Sequence, residues 1–405
     1  MLTFLRRCLT CVVCIAALAL GGLTYLYTQL PDSFMVPRGQ SLALAQMPWL
    51  VPLEPSGAAA AKATPAGGSY NVTLSVLGKI PVKTVRAVVV DRRSVTVCGT
   101  PFGIKMFANG AMVVAFTDIR TASGSANPAK AAGLKLGDVI VSIDGRATVD
   151  NDDVSEAIQA ADGRPVQLSV DRDGQTVSLS LQSVQDADTG AWRAGMWVRD
   201  SSAGIGTLTF VDNASGVYGG LGHSISDADT GRSIALLSGE VAPVTITGYV
   251  AGAAGAPGEL KGRFTGEAAM GDILVNGNTG VYGTIRRVLE GQDMVVAQAQ
   301  EVLEGPARIL TTIDGDEPAW YDAVIEQVSL NEEDPNRNMV IRITDPALLA
   351  ATGGIVQGMS GSPIVQNDRL VGAVTHVLVN DPTRGFGIFA ETMLSTADAA
   401  AQKAA

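Results

Sequence analysis

Cysteine is scarce in this chain, and the positions of its four cysteines limit what they can do. Cys8, Cys11 and Cys14 lie in an apolar run near the N-terminus, so only Cys98 belongs to the remainder. A single cysteine cannot form a disulfide within that remainder, which must therefore fold without one. Cys8, Cys11 and Cys14 have a C-x-x-C-x-x-C spacing that can occur in metal sites, but their neighbours are Leu, Val and Ala, with no histidine. We therefore expect them to face lipid or to pack, and we expect no metal site.

Aromatic residues and positive charges are also in short supply. Aromatic side chains make up only 5% of the chain, so aliphatic side chains must supply most of the core packing. The 46 glycines and the valine-rich stretches between turn signals predict mainly β structure. The net charge of −11 argues against a nucleic-acid partner, because an acidic chain repels phosphate backbones. A P-loop and a dinucleotide fingerprint are absent, and no cofactor is expected.

The N-terminal apolar run predicts a membrane anchor. Residues 8–30 are uncharged and long enough to cross a bilayer as a helix, with Arg6 and Arg7 before them and Asp32 just after. This charge distribution favours a single-pass protein with a cytosolic N-terminus and an extracytoplasmic body. A cleaved signal peptide is the alternative, with Ala17-Leu18-Ala19 as the candidate cleavage site. We expect a retained anchor, because the apolar run continues well past that site.

Changes in composition divide the chain into five parts. Residues 52–69 are rich in Ala, Pro and Gly without periodicity, which is typical of a linker, and strand-like alternation follows from residue 70. The predicted parts are a cytosolic tip and anchor (1–30), a linker and strand-rich segment (31–96), a compact unit (97–185), a domain rich in strands and turns (190–396) and an Ala-rich tail (397–405).

The unit at residues 97–185 contains the motif A-x-x-A-G-L-K-x-G-D-x-I-x-x-I-D-G, which begins at Ala129. This motif resembles PDZ domains, so we predict a PDZ domain over residues 97–185. Such a domain binds a peptide, or a protein C-terminus, as an added strand at a sheet edge. We expect the loop with Gly99, Phe102, Gly103 and Ile104 to receive the carboxylate or a backbone carbonyl. The alternative is a PDZ unit that only packs on the next domain.

Two glycine-rich segments carry the candidate catalytic residues. The first, residues 219–231, places His223 in a turn flanked by glycines and acids. The second contains Gly358-Met359-Ser360-Gly361-Ser362-Pro363, and its G-x-S-G-x-P core looks like the nucleophile loop of chymotrypsin-type proteases. Glycines let such a loop turn tightly, so that the N–H groups of Gly358 and Ser360 can point at the oxyanion of a tetrahedral intermediate. A plain glycine–serine hairpin is the alternative for this segment taken alone.

Together these segments resemble the stage IV sporulation serine peptidases of endospore-forming bacteria. The similarity includes GGIVQGMSGSPIVQNDRLVGAVTHVLVNDPTRGFGIF and GIGTLTFVDNASGVYGGLGHSISDADTG, and extends from about residue 8 to 395. The resemblance implies that residues 190–396 form a serine peptidase domain, which is β-barrel-like and of the trypsin/chymotrypsin type. It implies Ser360 as nucleophile and His223 as general base.

For the third catalytic group, the resemblance implies Asp345. It stands only 15 residues before Ser360, which is far closer than chymotrypsin topology would place it, so Asp227, Asp229 and Asp381 stay open as alternatives. His376 is a rival base, although its place after an apolar strand favours a structural role.

The resemblance also implies a biological role. Such an enzyme cleaves a membrane-associated regulator of a second, intramembrane protease, in the space between the two cells of a sporangium, and this leads to activation of pro-sigma-K. It also cleaves itself near the N-terminus, which would release the body from its anchor. The competing hypotheses are a non-catalytic PDZ scaffold and a general envelope quality-control protease.

Overall fold

The computed structural model describes residues 2–53, 64–227, 230–231, 236–266 and 268–404. The chain begins with helix α1 (Leu2–Gln29), whose stretch Leu9–Gln29 is apolar and exposed along its length. By length and composition this helix is a candidate membrane span, and a signal sequence would pass the same test. The chain becomes part of the folded body directly after it, because Leu30 is fully buried.

A small four-stranded sheet follows the helix. Its strands are β1 (Ser33–Pro37), β2 (Leu50–Leu53), β3 (Ser69–Val76) and β4 (Ile80–Val90). Their spatial order is β1-β4-β3-β2, with β1 parallel to β4. The alternation of apolar residues that predicted strands from residue 70 onward is confirmed, since every second residue of β4 from Lys83 to Val89 is buried. The predicted linker falls largely on residues 54–63, which lie outside the described residues.

Strands β5 (Ser94–Val97) and β6 (Pro101–Phe116) lie where the PDZ domain was predicted to begin, and here the structure differs from the prediction. The first half of β6 is paired on both sides, and Phe102 and Ile104 are buried in the core of the peptidase domain. The loop predicted to bind a peptide is therefore an interior strand without an open edge. Only the second half of β6, from Ala111, joins the PDZ core.

The PDZ unit is thus inserted between two strands of the peptidase domain. Asp150 caps its longer helix with a capping box to Asp153. Its core contains Val113, Ile140 and Leu168. After β6 its elements are β7 (Ile119–Thr121), β8 (Gly124–Ala126), α2 (Pro128–Ala131), β9 (Val139–Ile143), β10 (Arg146–Ala147), α3 (Asn151–Ala161), β11 (Pro165–Arg172) and β12 (Gln175–Gln182).

The remaining strands build the peptidase domain, apart from the short linking pair β13 (Val184–Gln185) and β14 (Trp192–Arg193). They are β15 (Met196–Asp212), β16 (Val217–Gly220), β17 (Leu236–Val250), β18 (Glu259–Phe264), β19 (Gly271–Gly277), β20 (Gly280–Ile285), β21 (Gln292–Val296), β22 (Gly305–Thr311), β23 (Ala319–Val328), β24 (Met339–Ile343), β25 (Pro363–Gln366), β26 (Arg369–Leu378) and β27 (Asp381–Phe389). Helix α4 (Pro346–Thr352) precedes β25, and helix α5 (Ala390–Ala404) follows β27.

The peptidase strands enclose separate apolar cores, and the network of strands closes on itself. One core surrounds Phe102, Tyr218 and Val241, and another surrounds Ile309 and Ile341. The loop after β16 belongs to the first region and the loop before β25 to the second, so the two candidate catalytic segments meet between them. The predicted Ala-rich tail is part of α5, which buries Ala397 and Ala400 against β-strands of a further core cluster.

Candidate active site

A cleft of about 650 Å³ lies between the two regions and contains both candidate catalytic residues. His223 enters it from the loop after β16, and Ser360 enters it from the turn before β25. The fold thus brings together two residues that are far apart in the sequence. His376 from β26 lies in the same cleft, and Ile205 from β15 forms part of its wall.

The turn around Ser360 is held by backbone hydrogen bonds and depends on glycine. The N–H of Gly361 donates to the carbonyl of Val374 (2.7 Å), and the N–H of Ser362 donates to that of Met359 (2.9 Å). Gly361 has φ +94°, a conformation that side chains disfavour, and a Cβ there would lie 2.0 Å from the carbonyl oxygen of Thr207. The backbone can therefore pass between the neighbouring segments only because this residue is glycine.

Two backbone N–H groups in this turn remain available. Among the described residues, the N–H groups of Gly358 and Ser360 have no hydrogen-bond partner, whereas the N–H of Met359 between them donates to Val356. The carbonyl of Gln357 accepts from Leu260 (2.8 Å), and a trans peptide directs its N–H away from its carbonyl, so the N–H of Gly358 faces away from β18. An oxyanion hole requires unpaired amides of this kind, and the assignment of these two residues to one stays a prediction.

The hydroxyl of Ser360 is in a resting orientation. It donates to the backbone carbonyl of Thr375 at 2.6 Å. A hydroxyl has one proton to donate, so Ser360 does not donate to His223 in this state. The hydroxyl must turn away from the Thr375 carbonyl before an imidazole can accept its proton.

The ring of His223 is oriented by its own backbone segment. Its Nδ1 lies 2.8 Å from the carbonyl oxygen of Ser224. A carbonyl can only accept, so Nδ1 carries the hydrogen and Nε2 keeps the lone pair that a general base needs. Burial lowers the pKa of His223, because it disfavours the charged imidazolium. The neutral, basic form is therefore the one present near pH 7.

The second histidine packs against the first. The ring centroids of His223 and His376 are 4.6 Å apart, with the ring planes tilted by 32°. Partial burial and the neighbouring His223 lower the pKa of His376 to about 4. A positive charge on either ring would repel a charge on the other at this distance, so both rings are neutral near pH 7.

No carboxylate contacts His223 among the residues that the structure describes. Asp345 caps helix α4, accepting from the N–H groups of Ala347 (2.9 Å) and Leu348 (3.1 Å). The fold gives its carboxylate this capping role, so its assignment as the catalytic acid stays a prediction.

The alternative acids either form hydrogen bonds away from His223 or lie outside the described residues. Asp227 is buried and pairs with Arg199 and Thr230, whereas Asp381 accepts from Thr383. Asp229 lies outside the described residues. Asp334 was not predicted as part of the site. Its negative charge raises the pKa of His376, whereas burial and His223 lower that pKa. No motif marks that aspartate in the sequence.

The PDZ unit has an open groove at a position other than the predicted one. A cavity of about 490 Å³ lies between helix α3 and the chain segment 191–198, which follows the PDZ unit and is hydrogen-bonded to Gln159 of α3 through Trp192. Val154, Ser155 and Ile158 line it from the helix, and Met196 and Val198 line it from β15. Because β15 continues the sheet beside Val113 and Phe116 of β6, this strand supplies the groove edge that the sequence analysis placed at Gly99 to Ile104.

Comparisons with known proteins identify both domains. The sequence profile of the SpoIVB peptidase S55 family matches residues 190–394, and that of the PDZ domain matches residues 106–182. These matches confirm the predictions of a mainly β chain with a PDZ domain and a serine peptidase domain. The second match begins near the middle of β6, close to the boundary seen in the structure.

Solved structures with similarity to parts of the chain are a PDZ domain and a protease. The PDZ domain of the SdrC-like protein from Listeria monocytogenes is 20% identical and covers 22% of this chain and 87% of its own, with a TM-score of 0.19. The inactive form of the Rv3671c protease is 15% identical and covers 48% of this chain and 84% of its own, with a TM-score of 0.28. A mutant of Rv3671c from M. tuberculosis is 14% identical and covers 48% of this chain and 82% of its own, with a TM-score of 0.29.

Proposed function

The chain belongs to the SpoIVB peptidase S55 family and is a serine peptidase, and on this premise we propose that Ser360 is its nucleophile and His223 its general base. The observation that carries this assignment is the shared cleft, where both side chains lie beside two unpaired backbone N–H groups. The Ser224 carbonyl fixes the tautomer of the imidazole in this geometry. Asp345 remains the acid that the family resemblance proposes.

The reaction would proceed by acyl transfer. Ser360 rotates away from the Thr375 carbonyl, Nε2 of His223 accepts its proton, and Oγ attacks the scissile carbonyl. The N–H groups of Gly358 and Ser360 then stabilise the negative oxygen of the tetrahedral intermediate. His223 returns the proton to the leaving amine, and a water molecule hydrolyses the acyl-enzyme by the same route.

Labelling with a serine-reactive peptidyl phosphonate tests the assignment. We expect wild type to label at Ser360 and to cleave peptides, and we expect Ser360→Ala to do neither. Ser178→Ala, an exposed serine of β12, is the matched control and should behave as wild type. Absence of labelling in folded wild type would favour the non-catalytic scaffold instead.

The proposed substrate is a membrane-associated regulator, and its cleavage would signal during sporulation towards pro-sigma-K activation. Anchoring by α1 supports this, because the enzyme would share a membrane surface with its substrate. The end of the helix is built into the body: Lys83 donates to the carbonyl of Leu30 (2.5 Å), and Asn331 donates to that of Thr28 (2.8 Å). A retained anchor would therefore hold the body close to the membrane surface.

Self-cleavage is tested by expressing the full chain in membranes beside Ser360→Ala. If the enzyme releases its own body, a shortened product appears with wild type and not with the variant, and N-terminal sequencing gives the site. A product that forms equally from both proteins would assign the trimming to another protease. Broad degradation of unfolded proteins would instead support an envelope quality-control enzyme.

The PDZ groove between α3 and segment 191–198 is the proposed site for a peptide or protein C-terminus. A ligand would add a strand beside β15, with its backbone in the groove and its side chains towards Val154 and Ile158. Such a site would recruit the substrate or a regulator, separately from the catalytic cleft.

A further inference from the structure

We propose that Thr207 is a positioning residue for catalysis, which holds the oxyanion-forming turn in its working conformation. This inference rests on the proposed roles of Ser360, Gly358 and His223. Thr207 lies on β15 beneath the turn and is only 2% exposed. Its hydroxyl donates to the carbonyl of Gly358 (2.8 Å), and its backbone N–H donates to the carbonyl of Ser360 (2.9 Å).

The two bonds from Thr207 fix alternate peptide units of the turn. A peptide unit consists of the carbonyl of one residue and the N–H of the next. Thr207 binds the carbonyls of the units that begin at Gly358 and Ser360. The intervening unit, which begins at Met359, carries the unpaired N–H of Ser360, and Ser362 binds its carbonyl. Hydrogen bonds therefore fix the backbone on both sides of the N–H groups of Gly358 and Ser360.

The hydroxyl bond matters because the glycine at position 358 would otherwise let the turn rearrange. Gly358 has φ +97° and no side chain to limit its rotation. If the Thr207 hydroxyl is removed, the carbonyl of Gly358 loses its hydrogen-bond donor. The peptide unit can then rotate so that this carbonyl bonds to another donor. Such a rotation would change the direction of the adjoining N–H groups and would weaken the oxyanion hole without removing Ser360 or His223.

Thr207 also contacts the loop that carries the histidine. Its carbonyl accepts from the N–H of Leu221 (3.3 Å), two residues before His223. The same carbonyl lies where a Cβ at position 361 would clash. One buried residue is therefore bonded to both catalytic loops and can fix their relative position.

Substitution of the hydroxyl tests the proposal in the full chain. Thr207→Val keeps the shape of the side chain and removes the donor. Loss of a hydrogen bond to a buried carbonyl predicts a decrease in kcat of about ten- to a hundredfold. We expect KM to change by less than about threefold, because the effect concerns the transition state. Affinity for a peptide aldehyde, which forms an oxyanion adduct with the serine, should fall together with kcat.

Two variants separate this role from general packing. Thr207→Ser restores the donor and should recover most of kcat. Thr312→Val removes a hydroxyl of similar burial, which donates to the carbonyl of Gly99 (3.2 Å) outside the cleft. It should lower the melting temperature and leave kcat unchanged. If Thr207→Val does not fold, Thr207→Ala makes the same test with a smaller side chain.

The proposal is overturned if a folded Thr207→Val enzyme turns over like wild type, if Thr207→Ser does not recover activity, or if Thr312→Val loses as much kcat. Failure of the underlying function looks different, because wild type itself would then neither cleave peptides nor label at Ser360. Normal labelling and turnover in wild type and Thr207→Val together would refute only the role of Thr207.

Discussion

The imidazole of His223 must be neutral to accept a proton, and its surroundings favour that form. Burial lowers its pKa from the ordinary value of 6.5, and no carboxylate among the described residues contacts the ring to raise it. Activity is therefore retained as the pH falls through 6.5 and is lost only at lower pH, when the imidazole takes up a proton. An unperturbed imidazole would instead lose activity at about pH 6 to 7.

A profile of kcat/KM from about pH 4.5 to 8 checks this prediction. We expect the midpoint of the acid limb below 6.5, because kcat/KM reports ionisations of the free enzyme. A midpoint at or above 6.5 would mean that a carboxylate approaches His223 in the active form. Circular dichroism across the same range separates titration of the histidine from acid unfolding.

Asp345 gives a second prediction at the residue scale. Its carboxylate caps α4, and asparagine is an equally good cap, so Asp345→Asn should keep both the melting temperature and activity. Asp345→Ala should destabilise the protein by about 0.5–2 kcal/mol, since two helix N–H groups lose their acceptor. Urea unfolding and peptide cleavage measure both effects. Loss of activity in a stable Asn variant would instead identify Asp345 as the catalytic acid.

At the scale of elements, the turn before β25 depends on glycine at position 361. Gly361→Ala adds a methyl group 2.0 Å from the Thr207 carbonyl, in addition to the strain of a positive φ. We expect a loss of more than about 2 kcal/mol in stability and no phosphonate labelling, because the turn must move to make room.

Gly266→Ala is the matched control for that variant. Gly266 has φ +81° and nothing within 4 Å of an added Cβ, so only backbone strain remains. This should cost about 1–2 kcal/mol and leave labelling intact. If both variants unfold at the same urea concentration, the contact with Thr207 is not what requires glycine.

At the scale of the whole molecule, the PDZ groove and the catalytic cleft lie at different places along one strand. Met196 and Val198 of β15 line the groove, and Ile205 of the same strand lines the cleft. Blocking the groove with Ser155→Trp should abolish selection of peptides from a displayed C-terminal library. It should leave cleavage of a short peptide at Ser360 unchanged, because no residue of the cleft is altered.

Glu156→Trp is the control for the groove variant, since Glu156 is exposed on α3 and does not line the groove. It should select the same peptides as wild type. Selection that survives Ser155→Trp would place the peptide site elsewhere. A change in short-peptide cleavage with Ser155→Trp alone would show that β15 transmits groove occupancy to the cleft.

The sequence by itself determined the features that depend on local pattern. Continuous apolar residues gave the N-terminal helix, the motif after Ala129 gave the PDZ unit, and the glycine-rich turns gave Ser360 and His223. Each of these depends on residues close together in the chain, whose spacing reflects backbone periodicity and turn geometry. One short motif was enough to predict the turn that contains Gly358 and Ser360.

Only the tertiary structure decided which segments become neighbours. Alternation along β6 shows which side chains are buried, but it does not tell which strands pair with its edges, so Gly99 to Ile104 could be mistaken for an open groove. The stacking of His223 on His376, the contacts of Thr207 and the capping role of Asp345 likewise depend on partners in other segments. Short-range pattern fixes the conformation of a segment, whereas long-range packing selects the segments that contact it. The geometry of the proposed catalytic site depends on this long-range packing.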